Sequence, residues 1–155
     1  MVKAIFQLVV IHKKSMPALK TYDLFISHAW KYNEDYHRLI KILQNASNFT
    51  FRNYSVPEHD PLIDPNTKVG RGKLEDLIDN QIRPVHCVLI LSGMYASHSD
   101  WVLREIELGK AYKKPIIGIV PRGQERIPVK VQEAALDMVY WNTDSIVSAI
   151  RNYSI

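Results

Sequence analysis

From Tyr22 onward the apolar positions switch repeatedly between a period near two and a period near 3.6, the pattern of strands alternating with helices. Asp23-Leu24-Phe25-Ile26-Ser27 is a short β-prone run. Residues 34–45 place Tyr36, Leu39, Ile40 and Leu43 on one helical face, and residues 49–54 alternate aromatic and polar side chains as a second strand. Residues 73–81 read as a helix with Leu74, Leu77 and Ile78 inward. His86 to Leu91 and Pro115 to Val120 are apolar throughout, as strands covered on both faces should be. Helices are expected over 99–113, 129–136 and 143–152, with a short strand near 138–140. Such alternation builds a parallel sheet wrapped by helices on both faces through right-handed crossovers. Sites in these sheets gather at the carboxyl ends of the strands. That points to the segments after Ser27, after Tyr54 and after Leu91.

Two stretches stand outside the alternation. Ala4 to Ile11 is apolar but only eight residues long, too short to span a bilayer. Pro17 separates it from the rest, so residues 1–20 are expected to be an N-terminal extension or an extra strand, and residues 21–155 the domain proper. Residues 55–72 carry three prolines and two glycines and exceed ordinary connection lengths, which favours a functional loop.

The composition is that of a folded soluble chain: 155 residues, 46% hydrophobic and 23% charged. The net charge of +4 is spread in pairs such as Lys13-Lys14 and Lys113-Lys114. A solvated surface is expected from this spacing, with neither nucleic acid nor membrane as partner. Cys87 is the sole cysteine, which excludes an intrachain disulfide and a thiolate metal cluster. Its place in an apolar strand marks it as packing, and a cytoplasmic location fits.

Common catalytic signatures are absent. There is neither a GxGxxG nor a GxxxxGK[ST] segment. Gly70-Arg71-Gly72-Lys73 reads equally as a phosphate-receiving helix start or as a loop hinge. The six histidines show no ligand spacing, so no metal is expected. Ser27 and His28 are adjacent, and neighbours on a strand point to opposite faces, which argues against a nucleophile–base pair.

The segment Ser99-Asp100-Trp101-Val102-Leu103-Arg104-Glu105-Ile106-Glu107 is the most informative. Ser99 can cap the helix and Asp100 complements its dipole. Val102, Leu103 and Ile106 are expected to be buried, with Trp101 and Glu105 together on another face at i and i+4. An aromatic ring beside a carboxylate suits a ligand carrying a ring and a diol. A solvated surface glutamate is the plain alternative.

Three of these segments, in order, resemble the Toll/interleukin-1 receptor (TIR) domain family. Tyr22 to Trp30 resembles the family's first-strand motif, in which an apolar strand ends in serine and a short polar loop. Asp100-Trp101 followed by Glu105 is similar to the third-helix motif, and Pro115 to Val120 to the strand after it. The histidine after Ser27 and the proline-containing loop resemble bacterial TIR-like proteins, among them the TIR subunits of the Thoeris anti-phage system. The resemblance implies a flavodoxin-like three-layer fold with a five-stranded parallel sheet. It also implies cleavage of the nicotinamide–ribose bond of NAD⁺, taken as substrate with no cofactor, to give an ADP-ribose-type signal. Cyclic ADP-ribose is the expected form, acting on a separate effector protein, with self-association possible. Glu105 would be catalytic, and Phe25, Ser27, His28 and Trp101 would bind substrate. A non-catalytic TIR interaction module and a nucleoside deoxyribosyltransferase-like enzyme are the alternative readings.

Overall fold

The computed structural model describes residues 19–27, 34–56, 66–94, 99–123 and 126–155, with backbone alone at Met94 and Ser99. The expected extension over residues 1–20 lies outside these except for Leu19 and Lys20. Five strands form one parallel sheet in the order β2-β1-β3-β4-β5. They are β1 (Thr21–Ile26), β2 (Thr50–Asn53), β3 (Cys87–Leu91), β4 (Ile116–Val120) and β5 (Asp137–Tyr140). The helices between them are α1 (Glu34–Asn45), α2 (Lys68–Ile82), α3 (Ser99–Ala111), α4 (Val129–Ala134) and α5 (Thr143–Tyr153). The protein is an α/β three-layer domain with the flavodoxin strand order, as expected.

Each sheet face carries its own core. On one side Leu24 and Ile26 of β1 pack with Leu39 and Leu43 of α1 and with Ile146 and Ile150 of α5. On the other, Phe25 packs with Leu74 and Ile78 of α2, Val102 and Ile106 of α3, and Val131 of α4. The alternation along β1 decides this split, since successive strand residues face opposite ways. β3 and β4 are buried at every position, which is why they read as unbroken apolar runs. β2 and β5 are the exposed edges, shorter and more polar.

α2 starts earlier than the sequence pattern suggested. Gly70 and Gly72 pointed to a loop, yet both lie inside the helix, whose first residue is Lys68. The Thr67 hydroxyl caps it by accepting the Gly70 N–H at 3.0 Å. Good capping and the burial of Gly70 outweigh the low helix propensity of two glycines, about 1 kcal/mol each.

Candidate functional site

The strand order reverses between β1 and β3, and in doubly wound sheets the crevice at such a reversal is where ligands bind. Polar residues hold this edge together. The Ser27 N–H donates to Leu89 O at 2.9 Å, and the Ser27 hydroxyl accepts the Leu91 N–H at 3.2 Å. The Ser55 hydroxyl donates to Ile26 O at 2.8 Å. Both serines are buried. They carry the ladder past the ends of the strands, so the crevice has a rigid floor. Phe25, only 1% exposed, lies beneath α3 in the same core as Val102 and Ile106. His28 lies outside the described residues, as do His59, His98 and the three prolines of the 55–72 stretch.

α3 leaves this crevice and lies across the sheet. Gly109 permits the close approach: a Cβ there would come within 3.2 Å of Ile116 Cδ1 on β4. The orientation of α3 corrects one expectation. Glu105 is not on a separate face from the apolar stripe but is buried with it, 6% exposed, alongside Val102 and Ile106. Three steps of ~100° bring Glu105 back to within ~60° of Val102, so the two share one side of the helix. Leu103 instead turns outward and lines a surface cleft.

Burial sets the chemistry of Glu105. Its Oε2 is fully buried and has no hydrogen-bond partner. Desolvation raises the carboxyl from 4.5 to about 8, because an apolar setting disfavours the charged form. Buried polar atoms are nearly always paired, and an exception points to a function or a missing ligand. A buried, perturbed carboxyl midway along the helix that leaves the crevice is a functional-site candidate on physical grounds.

Trp101 lies one helical turn nearer the crevice, half-buried at the margin of the core. The Arg71 guanidinium of α2 sits over its ring, 5.8 Å from the centroid. Between α2 and α3 opens a cleft of about 250 Å³, lined by Arg71, Glu75, Asp100, Trp101, Leu103, Arg104 and Glu107. Arg104 spans it, 3.7 Å from Glu75 and 3.3 Å from Glu107. Glu105 is not among the lining residues. Arg71 came to notice in the sequence only as part of the glycine-rich helix start. Thr67 in capping position ahead of Gly70 was the available signal that it belongs to an ordered helix end.

The other reactive groups have structural work. His86 Nδ1 accepts the Asp23 N–H at 2.8 Å, just ahead of β3. Asp23 pairs with Arg52, whose Nη2 donates to Oδ2 at 2.8 Å. Burial pushes the Cys87 thiol up to about 12, which leaves no thiolate for chemistry at neutral pH. Among the described residues no group of three or more His, Cys, Asp or Glu side chains could hold a metal, and no helix is long and apolar enough to cross a membrane.

A family model described as the Thoeris protein ThsB, TIR-like domain, matches residues 25–126. The chain belongs to this family. The matched span takes in Phe25, Ser27, Trp101 and Glu105 and ends ahead of α4. Among solved structures, the CMP N-glycosidase BcmB of Clostridium botulinum aligns over 83% of this chain and 98% of its own, with 8% identity and a TM-score of 0.46. The flavoenzyme FerB of Paracoccus denitrificans, an NAD(P)H:(acceptor) oxidoreductase, aligns over 88% of this chain and 100% of its own, with 14% identity and a TM-score of 0.41. Among curated proteins none matches.

Proposed function

We propose that this TIR-like domain cleaves the nicotinamide–ribose bond of NAD⁺, with Glu105 as the catalytic carboxylate, and that the product is a signal in anti-phage defence. One observation carries the reading: a buried carboxyl with an unpartnered oxygen, one turn behind Trp101 on the helix that leaves the crevice. Membership of the Thoeris TIR-like family supports it.

The chemistry needs few groups. Nicotinamide departs with the electron pair of the N-glycosidic bond and leaves neutral, so no acid has to protonate it. Positive charge develops on the ribose, and a carboxylate facing that charge in a dry site lowers the barrier. Water captures the cation and gives up a proton, yielding ADP-ribose. Attack by a nitrogen of the substrate's own adenine yields the cyclic product instead.

In the resting protein Glu105 holds a proton at neutral pH, since its carboxyl titrates at about 8. The nicotinamide ring of NAD⁺ is a cation. Its arrival favours the ionised carboxylate, so substrate binding and proton release are coupled. Trp101 offers a flat apolar face to the ring or ribose, and Phe25 and Ser27 shape the floor of the crevice. His28 follows directly on Ser27 in the chain and completes the proposed set.

The test is to incubate the protein with NAD⁺ and follow the products by mass spectrometry. Nicotinamide together with linear or cyclic ADP-ribose supports the reading. Intact NAD⁺ over long incubation, with and without lysate from phage-infected cells, would leave the interaction-module reading in its place. A covalent glycosyl-enzyme on Glu105 would favour the deoxyribosyltransferase-like alternative.

A further inference from the structure

Among the described residues the sheet ends at β5, whose outer side pairs with no strand. The Leu136 N–H, just ahead of β5, donates to Ile116 O at 2.8 Å and so faces β4. Main-chain groups alternate in direction along a strand, so Met138 and Tyr140 also turn theirs to β4. The N–H and C=O groups of Asp137 and Val139 therefore point outward. Native sheets blunt such an edge with charge or proline. Arg52 stands on β2, the opposite edge, with its side chain 64% exposed. β5 has neither lysine, arginine nor proline. Instead it is bracketed by bare apolar side chains, Leu136 at its start, 61% exposed, and Tyr140 at its end, 69% exposed.

We infer that β5 pairs antiparallel with β5 of a second copy, about a two-fold axis at Met138, so that the two sheets join into one. Self-complementarity under that rotation carries the inference, as an isologous contact requires. With Met138 on the axis, Asp137 of each copy stands opposite Val139 of the other. These are the outward-facing residues, and opposed antiparallel residues of this kind exchange both N–H···O=C bonds. Leu136 then stands opposite Tyr140 at a closely spaced, non-hydrogen-bonded position. By alternation both share the face of Met138, which packs in the core with Val131 of α4. Met138 does not obstruct the axis, because its thioether leans inward over Gly118 and fills the space a Cβ there would take. Charge agrees. α4 leads back to the start of β5, with Lys130 at its beginning and Glu133 toward its end, both exposed. The two-fold reverses the partner's α4, which sets each lysine toward the partner's glutamate. The joint engages far fewer than the about 20–30 residues a side of a standard interface, so the dimer is a weak one.

Sedimentation velocity of the full chain, at concentrations up to the order of 1 mM, tests it. Wild type should show a monomer–dimer equilibrium. Leu136→Lys and Tyr140→Glu should each raise the dissociation constant about two- to thirtyfold, since each removes the cross-strand pair from both halves of the joint. The double variant should return toward wild type, because lysine and glutamate then meet across the joint. Within one chain the two positions are about 13 Å apart along the strand and cannot pair. Both are exposed, so the variants keep their fold. Asp137→Pro removes an outward N–H, leaves every bond to β4 in place, and sits at the first strand residue, where proline is tolerated. It should weaken the dimer as well. A wild type that stays monomeric throughout the range would overturn the inference. So would a dimer whose dissociation constant is unchanged in both single variants, or a double variant weaker than either single. No NAD⁺ is involved, so the dimer and the proposed activity stand or fall separately.

Discussion

Replacing Glu105 by Gln should make the protein more stable, by an amount that grows with pH. Burial lifts the carboxyl from 4.5 to about 8 in the folded state, whereas in the unfolded chain it titrates near its ordinary value. Between those two limits the folded protein holds a proton that the unfolded chain has released. The unfolded state then binds fewer protons, and stability falls as pH rises through this window. At ~1.36 kcal/mol per pK unit the loss is about 3 kcal/mol at pH 7 and about 5 kcal/mol above pH 8. Glutamine has nearly the same shape and no proton to lose, so the variant escapes the penalty. Guanidinium denaturation of both proteins at pH 5, 7 and 9 measures it. The variant's advantage should be under ~1 kcal/mol at pH 5 and about 3 kcal/mol at pH 7, or roughly 6–12 °C in Tm for a domain of this size. It should be larger again at pH 9. A difference that is absent or constant across the three pH values would refute the claim that Glu105 is a buried, neutral acid. A gain in stability from removing a residue at the expense of activity is the usual mark of a functional strain.

The same ionisation should shape catalysis: kcat/KM for NAD⁺ should rise with pH and level off above about 8, the value of the free carboxyl, while kcat should titrate lower because the bound cation favours the carboxylate. A pH-independent kcat/KM between 6 and 9 would contradict it. Trp101→Ala should raise KM for NAD⁺ and lower stability by less than the ~3–5 kcal/mol of a fully buried tryptophan, since its ring is only half-buried; a melting point that collapses with KM unchanged would make it packing alone. Asp23→Asn should cost about 1–3 kcal/mol by breaking the pair with Arg52 and leave NAD⁺ turnover in the folded protein as it was.

Much of this architecture was legible in the chain because β3 and β4 are covered on both faces and α1 and α5 carry one-sided apolar stripes; period and length alone separate such segments. α2 was harder. Its first five residues include two glycines, and the Thr67 cap and the burial of Gly70 favour the helix there. The Trp101–Glu105 pair could be read from its spacing, but not which side of α3 it presents. The i, i+4 relation fixes relative direction on a helix, while the packing of Val102, Ile106 and Gly109 on the sheet fixes the absolute one. Hence Glu105, placed by its spacing on a face apart from the apolar stripe, is found buried with that stripe. The contact of Arg71 with Trp101 joins positions 30 residues apart on different helices, and nothing local in either segment announces it.

The central claim is that the Glu105 carboxylate carries NAD⁺ cleavage, and the most direct measurement is nicotinamide release by wild type and Glu105→Gln, with Glu133→Gln as a control on the exposed side of α4. Each is assayed at pH 8 with and without lysate of phage-infected cells. The account predicts release by wild type and Glu133→Gln, and a loss of at least ~10²-fold in Glu105→Gln, whose fold is intact and more stable. Release by Glu105→Gln at the wild-type rate, or none from any of the three under either condition, would contradict it.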